Sequence, residues 1–87
     1  MTRGFGYNSV VEWGGETFHV QTEPCRRGRE DTAAVETTIF RGGQVRYSRR
    51  TDCDGADEAA IRELVRNQHG EVIAELRAGR LPENLGR

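Results

Sequence analysis

Two groups of arginines are the residues of this chain best suited to do chemistry. Arg26, Arg27 and Arg29 lie in the run PCRRGREDT, and Arg46, Arg49 and Arg50 lie in the run QVRYSRR. A guanidinium is planar, permanently charged and offers paired donors, so several that converge make a site for phosphate or carboxylate. If the two runs follow alternate strands of a meander, which point the same way, the arginines gather at one end of a sheet. That arrangement predicts an anion, nucleotide or nucleic-acid binder. The competing expectation is a set of solvated loops. Glu30, Asp31, Asp52 and Asp54 accompany the arginines, and exposed ion pairs of this kind contribute little.

The other reactive side chains are sparse. His19, His69, Cys25 and Cys53 form no C-x-x-C, H-x-x-x-H or H-E-x-x-H spacing, so no metal site is expected. Two cysteines are too few for a disulfide scaffold, and free thiols in a reducing cytoplasm are the expectation. A Cys25–Cys53 bridge is conceivable, because both residues follow strands. No P-loop or nucleophile elbow is present, and Gly4-Phe5-Gly6 lacks the third glycine of a dinucleotide fingerprint. The chain is expected to be neither an enzyme nor a cofactor carrier.

The elements that must position these residues are legible. From Asp57 to Ala78, residues Ile61, Leu64, Val65, Gln68, Val72 and Leu76 recur at intervals of three and four, which predicts one long amphipathic helix. Asp54 is the expected N-cap, Glu58 and Arg62 form an i,i+4 pair, and Gly79 followed by Pro82 marks the stop. Gln68 lies within the apolar stripe and His69 at its edge. A buried amide needs partners; sheet backbone or Thr37 would supply them, or the Gln68–His69 pair helps specify a binding partner. Gly70, opposite the stripe, either is tolerated there or lets a second helix approach.

Ahead of the helix, two Gly-Gly pairs each sit between β-rich runs and predict hairpins. The first sets Trp13 against Glu16, Val11 against Phe18 and Ser9 against Val20. Tyr7, Val11, Trp13, Phe18 and Val20 then share the core face, with Val10 and His19 outside. The second hairpin, around Arg41-Gly42-Gly43, admits two registers. A three-residue loop pairs Ile39 with Val45 and Thr37 with Tyr47, and so places Val35, Ile39, Val45 and Tyr47 on one face. That register is the expected one. Phe40 then joins Val10 and His19 on the outer face as a candidate partner-binding patch.

The expected fold is α+β: a four-stranded antiparallel meander followed by one C-terminal helix across a sheet face, in a single domain over residues 1–87. Residues 1–6 and 80–87 are expected to be flexible. Arg46 and Arg50 also share the R-x-x-x-R spacing of the PilZ cyclic-di-GMP domain, but that domain's D/N-x-S-x-x-G element has no match. The segments Phe18-His19-Val20-Gln21-Thr22-Glu23, Gly42-Gly43, Gln68-His69 and Arg77-Ala78-Gly79 resemble a family of small bacterial domains from Gram-negative, deltaproteobacterial-type genomes, over most of the chain. The resemblance carries no activity; it implies a bacterial, cytoplasmic, non-catalytic module.

Composition limits the functional classes. A domain of 87 residues buries only about 60–65% of its extended-chain surface. With 34% hydrophobic residues its core is thin, which favours a partner or self-association. A net charge of −1 supplies no global field for nucleic acid or anionic membrane. All 13 basic residues are arginine, as a GC-rich genome would produce. No apolar run is long enough to span a membrane, and no signal-peptide pattern is present. The leading expectation is a cytoplasmic interaction module that forms homo-oligomers, with Val10, His19, Phe40, Gln68 and His69 at its contact. The arginine-based anion binder is second.

Overall fold

The computed structural model describes residues 6–26 and 33–81. Four strands, β1 (Tyr7–Trp13), β2 (Glu16–Arg26), β3 (Ala33–Arg41) and β4 (Gln44–Asp52), form one antiparallel sheet in chain order. Helix α1 (Glu58–Arg77) packs across one face, over β1, β2 and β3 and most closely on β2. This is the expected α+β meander with a single covering helix.

Both hairpins turn through two glycines in the left-handed region, Gly14 and Gly15 at φ 61° and 82°, and Gly42 and Gly43 at φ 61° and 81°. Paired positive φ values match the right-handed twist of the flanking strands, so the turns stay at two residues. In the first hairpin the register is as expected, with Trp13 opposite Glu16 and Val11 opposite Phe18.

The second hairpin departs from the expected register. Arg41 pairs with Gln44 and Phe40 with Val45, and the ladder then slips by one residue so that Ile39 meets Tyr47 and Thr37 meets Arg49. Arg46 is the extra residue of this bulge. Two demands compete here. The Gly-Gly turn imposes a two-residue loop, and burial requires Tyr47 on the helix side with Ile39. A bulge satisfies both, because one inserted residue restores the face of everything beyond it. Val45 is therefore on the outer face rather than in the core.

The helix is bounded differently from expectation at its start. Asp57, not Asp54, is the N-cap, accepting from the Ala60 N–H at 2.8 Å. Asp54 Oδ1 instead accepts the Ala33 N–H at 2.8 Å, tying the loop to the start of β3. At the other end Gly79, at φ 70°, donates to the Leu76 carbonyl, and Arg80 donates to the Glu75 carbonyl. These paired bonds make a Schellman closure that satisfies the last carbonyls. Arg80 and Leu81, expected within a flexible tail, are instead fixed, Arg80 by its bond to the Glu75 carbonyl and Leu81 by burial against the core beside Leu76. The rest of the expected tail, 82–87, and residues 1–5 of the expected arm lie outside the described residues.

The core consists of two apolar clusters. One holds Val11, Phe18, Val20, Ile39, Val72 and Leu76 beneath the C-terminal half of α1. The other holds Ala33, Val35, Ile61 and Val65 beneath its N-terminal half. Between them lie polar side chains that are equally inaccessible: Thr22 and Thr37 are 0% exposed, Gln68 2% and His69 5%.

Candidate functional site

The strand alternation that builds the sheet separates Arg49 from Arg50, two of the arginines expected to form an anion site. Arg49 is on the helix side of β4, where its Nη2 donates to Glu75 Oε1 at 2.6 Å and to the Tyr47 hydroxyl at 2.8 Å. The Glu75 carboxylate and the Tyr47 hydroxyl hold Arg49 charged well above its ordinary range. In return the Arg49 hydrogen bond draws the Glu75 carboxyl below the usual carboxylate range. Arg50 points to the opposite face, 3.5 Å from Asp52. Arg46 occupies the bulge between these rows. Arg26 ends β2, paired with Ala33, and Arg27 and Arg29 lie outside the described residues. Arg49 and Arg50, one residue apart, thus face different surfaces. They do not form one anion cradle.

The polar belt through the core has a definite direction. Gln68 Nε2 lies 2.9 Å from Thr37 Oγ1, 3.2 Å from the Arg49 carbonyl and 3.4 Å from the Val35 carbonyl. Two carbonyl acceptors establish that end as the amide NH₂, and Thr51 donates to Gln68 Oε1 at 2.5 Å. Thr37 therefore accepts from Gln68 and directs its single proton to Thr22 at 2.8 Å. Thr22 in turn donates to His69 Nδ1 at 2.7 Å. The ring proton is then on Nε2, which donates to Ser9 Oγ at 2.8 Å. The chain Thr51, Gln68, Thr37, Thr22, His69, Ser9 runs one way from β4 to β1, and each hydroxyl in its interior donates once and accepts at least once.

Burial lowers the His69 pKa, which keeps the imidazole neutral as this chain requires. The Tyr7 ring lies over it with centroids 5.4 Å apart. In this tautomer Nε2 donates to Ser9, the reverse of what a base taking a serine proton requires. Gln68 does find Thr37 and sheet backbone, as one of its two expectations held. The alternative placed Gln68 and His69 at a partner contact; both are instead buried and bonded inside the protein. Ser9, Thr22 and Thr51 were not foreseen as members of this belt. Threonines recurring on an otherwise apolar strand face, opposite a glutamine on the helix stripe, are the signal in the sequence that could have found it.

The uncovered face of the sheet carries a different arrangement. Val10 pairs with His19, His19 with Phe40 and Phe40 with Val45, so these residues form one row across all four strands. Val10 and Val45 are each 60% exposed, and Phe40 is half-buried. The expected trio of Val10, His19 and Phe40 is thus contiguous, and Val45, expected inside, extends it. Beside the row lie Asn8, Gln21, Thr38 and Ser48, all polar and uncharged.

Among the described residues no group of three or more His, Cys, Asp or Glu side chains is placed to hold a metal ion. No helix among them is long and apolar enough to cross a membrane. Cys25 and Cys53 are free thiols. Comparison of the chain with protein-family models, with curated proteins and with solved structures finds no match.

Proposed function

We propose that this chain is a small non-catalytic protein–protein interaction module of a bacterial cytoplasm, and that it self-associates. The observation that carries the reading is the row of Val10, His19, Phe40 and Val45 on the face that α1 leaves bare. Isolated apolar residues on a surface are ordinary, whereas Phe40 and Val45 side by side, continued through the His19 ring to Val10, form a patch suited to a partner. The divided core supports the same reading, since a domain with two small apolar clusters gains from further burial. Free thiols at Cys25 and Cys53 accord with a reducing compartment.

The test is the solution mass by light scattering coupled to size exclusion, at low and high salt. Association through apolar and backbone contacts survives high salt, because screening weakens only charge pairs. The wild type is expected to exceed the 9.8 kDa of one chain as concentration rises, and Val10→Asp to return it to that value. A wild type that stays at 9.8 kDa at every concentration and salt refutes the reading.

A further inference from the structure

We infer that two copies of this chain join through β1, edge to edge and antiparallel about Val10, to make one continuous eight-stranded sheet. The inference rests on the self-association reading and names the contact. Among the described residues the strand order leaves β1 and β4 each with an unpaired side. Proteins protect such edges with charge, proline or bulges. On β4 the bulge at Arg46 and the charges of Arg49 and Arg50 supply that protection. On β1, YNSVVEW, there is no proline and no bulge, and Glu12 is the only charged residue.

The hydrogen-bond phase of β1 follows from its turn. Trp13 and Glu16 flank a two-residue loop, so they are a bonded pair, and bonded and non-bonded pairs alternate from there. Trp13, Val11, Ser9 and Tyr7 direct their backbone groups to β2. Glu12, Val10 and Asn8 direct theirs to the open edge.

A second β1 can satisfy those groups only if residues of this outward set face one another. Centring the two-fold axis on Val10 meets that condition and pairs all seven residues of the strand. Val10 faces Val10 of the second copy, and Asn8 faces Glu12 on either side. Every outward N–H and C=O of Asn8, Val10 and Glu12 then has a partner. Centring on Ser9 or on Val11 also matches the phase but leaves residues unpaired at one end.

The side chains agree with this register. Tyr7 of one copy meets Trp13 of the other on the helix side, as a close non-bonded pair, twice by symmetry. Tyr7 is 39% exposed in the single chain and borders a groove lined by Ala59, Arg62, Glu63 and Arg66, so its ring is accessible to the edge of a second copy. Glu12 meets Asn8 rather than another carboxylate, so no like charges oppose. Because α1 lies most closely on β2, the two helix axes fall three strand spacings apart, about 14 Å, enough to clear a helix diameter of ~10–12 Å. On the bare face the two rows meet at Val10, joining Val45, Phe40, His19 and Val10 to their counterparts in one line.

The contact is small. Seven residues at ~3.4 Å, one sheet layer of ~10 Å deep, give roughly 240 Å² of cross-section per copy, against ~800 Å² per partner in a standard interface. The dimer is therefore concentration-dependent, with its affinity drawn from main-chain bonds.

Amide hydrogen exchange followed by NMR, across a concentration series with the mass measured in parallel, tests the contact. In dilute solution Asn8, Val10 and Glu12 exchange freely, while Ser9 and Val11 are protected by β2. As the dimer forms, the first three are expected to slow in step with the mass, about tenfold when nine-tenths of the chain is dimeric. Val10→Pro removes an outward N–H and no internal bond, so it is expected to keep β2 and β3 amide protection and stay monomeric. A dimer in which Asn8, Val10 and Glu12 exchange as fast as in dilute solution overturns the edge contact and leaves self-association standing. A monomer at every concentration overturns both.

Discussion

Thr22→Val isolates the polar belt from everything else in the core. The side chain is 0% exposed, and valine has nearly the shape of threonine, so no cavity opens. What is lost is Oγ1, which accepts from Thr37 and donates to His69 Nδ1, at 2.8 and 2.7 Å. The substitution strands a proton on Thr37 and a lone pair on His69, both out of reach of water. Stranding a buried polar group costs about 1–3 kcal/mol, so the pair costs about 2–6 kcal/mol. A domain of 87 residues has about 4–13 kcal/mol in total, which makes this a large fraction. Thermal unfolding is expected to fall by roughly 8–48 °C, and the urea midpoint to shift without a change in slope. Thr38→Val, the same change on the outer face, is the control and is expected to stay within about 0.5 kcal/mol. The double variant Thr22→Val/Thr37→Val should cost less than the sum of the singles, because the second change removes a group that the first had stranded. A Thr22→Val protein as stable as the Thr38→Val control refutes the directional chain.

Three further outcomes follow from the same geometry. Burial lowers the His69 pKa, so near the ordinary value of ~6.5 the unfolded chain binds a proton that the folded chain refuses. The His69 contribution is then complete above that pH and declines as pH falls below it, by at most ~1.4 kcal/mol per pH unit; urea midpoints between about pH 8 and 5.5 should show the slope, and His69→Gln should flatten it. Gly79→Ala places a Cβ at φ 70°, where the added atom meets only an ordinary 3.6 Å contact with Trp13, so the cost is conformational, about 1–2 kcal/mol by chemical denaturation. Gly70→Ala meets nothing within 4 Å in the helix interior and should raise stability by about 1 kcal/mol in the same assay.

Much of the architecture was local and therefore readable. The three-and-four spacing of Ile61, Val65, Gln68, Val72 and Leu76 states a helix face without reference to anything else, and that face is the buried one. Gly14-Gly15 states a two-residue turn, and strand alternation then places Val11, Phe18 and Val20 inside. The outer row was partly readable for the same reason, since Val10, His19 and Phe40 alternate with core residues. Asp54 and Asp57 are both good caps, by contrast, and only the approach of the Ala33 N–H to Asp54 decides which one serves the helix.

The sequence by itself determined the element order, the first hairpin's register and the helix face, because each depends on contacts between neighbours along the chain. Tertiary structure decided the rest. The bulge at Arg46 arises where a short-range turn preference meets a long-range need to bury Tyr47, and neither is visible from the other's residues. The two-residue turn sends Val45 outward to complete the row, and the inserted residue then brings Tyr47 and Arg49 to the helix side. The roles of Gln68 and His69 were settled the same way. Polar residues on an apolar stripe can serve a surface or a core, and the distinction lies in what the opposing strands present: here the hydroxyls of Ser9, Thr22, Thr37 and Thr51, which give Gln68 and His69 their hydrogen-bond partners.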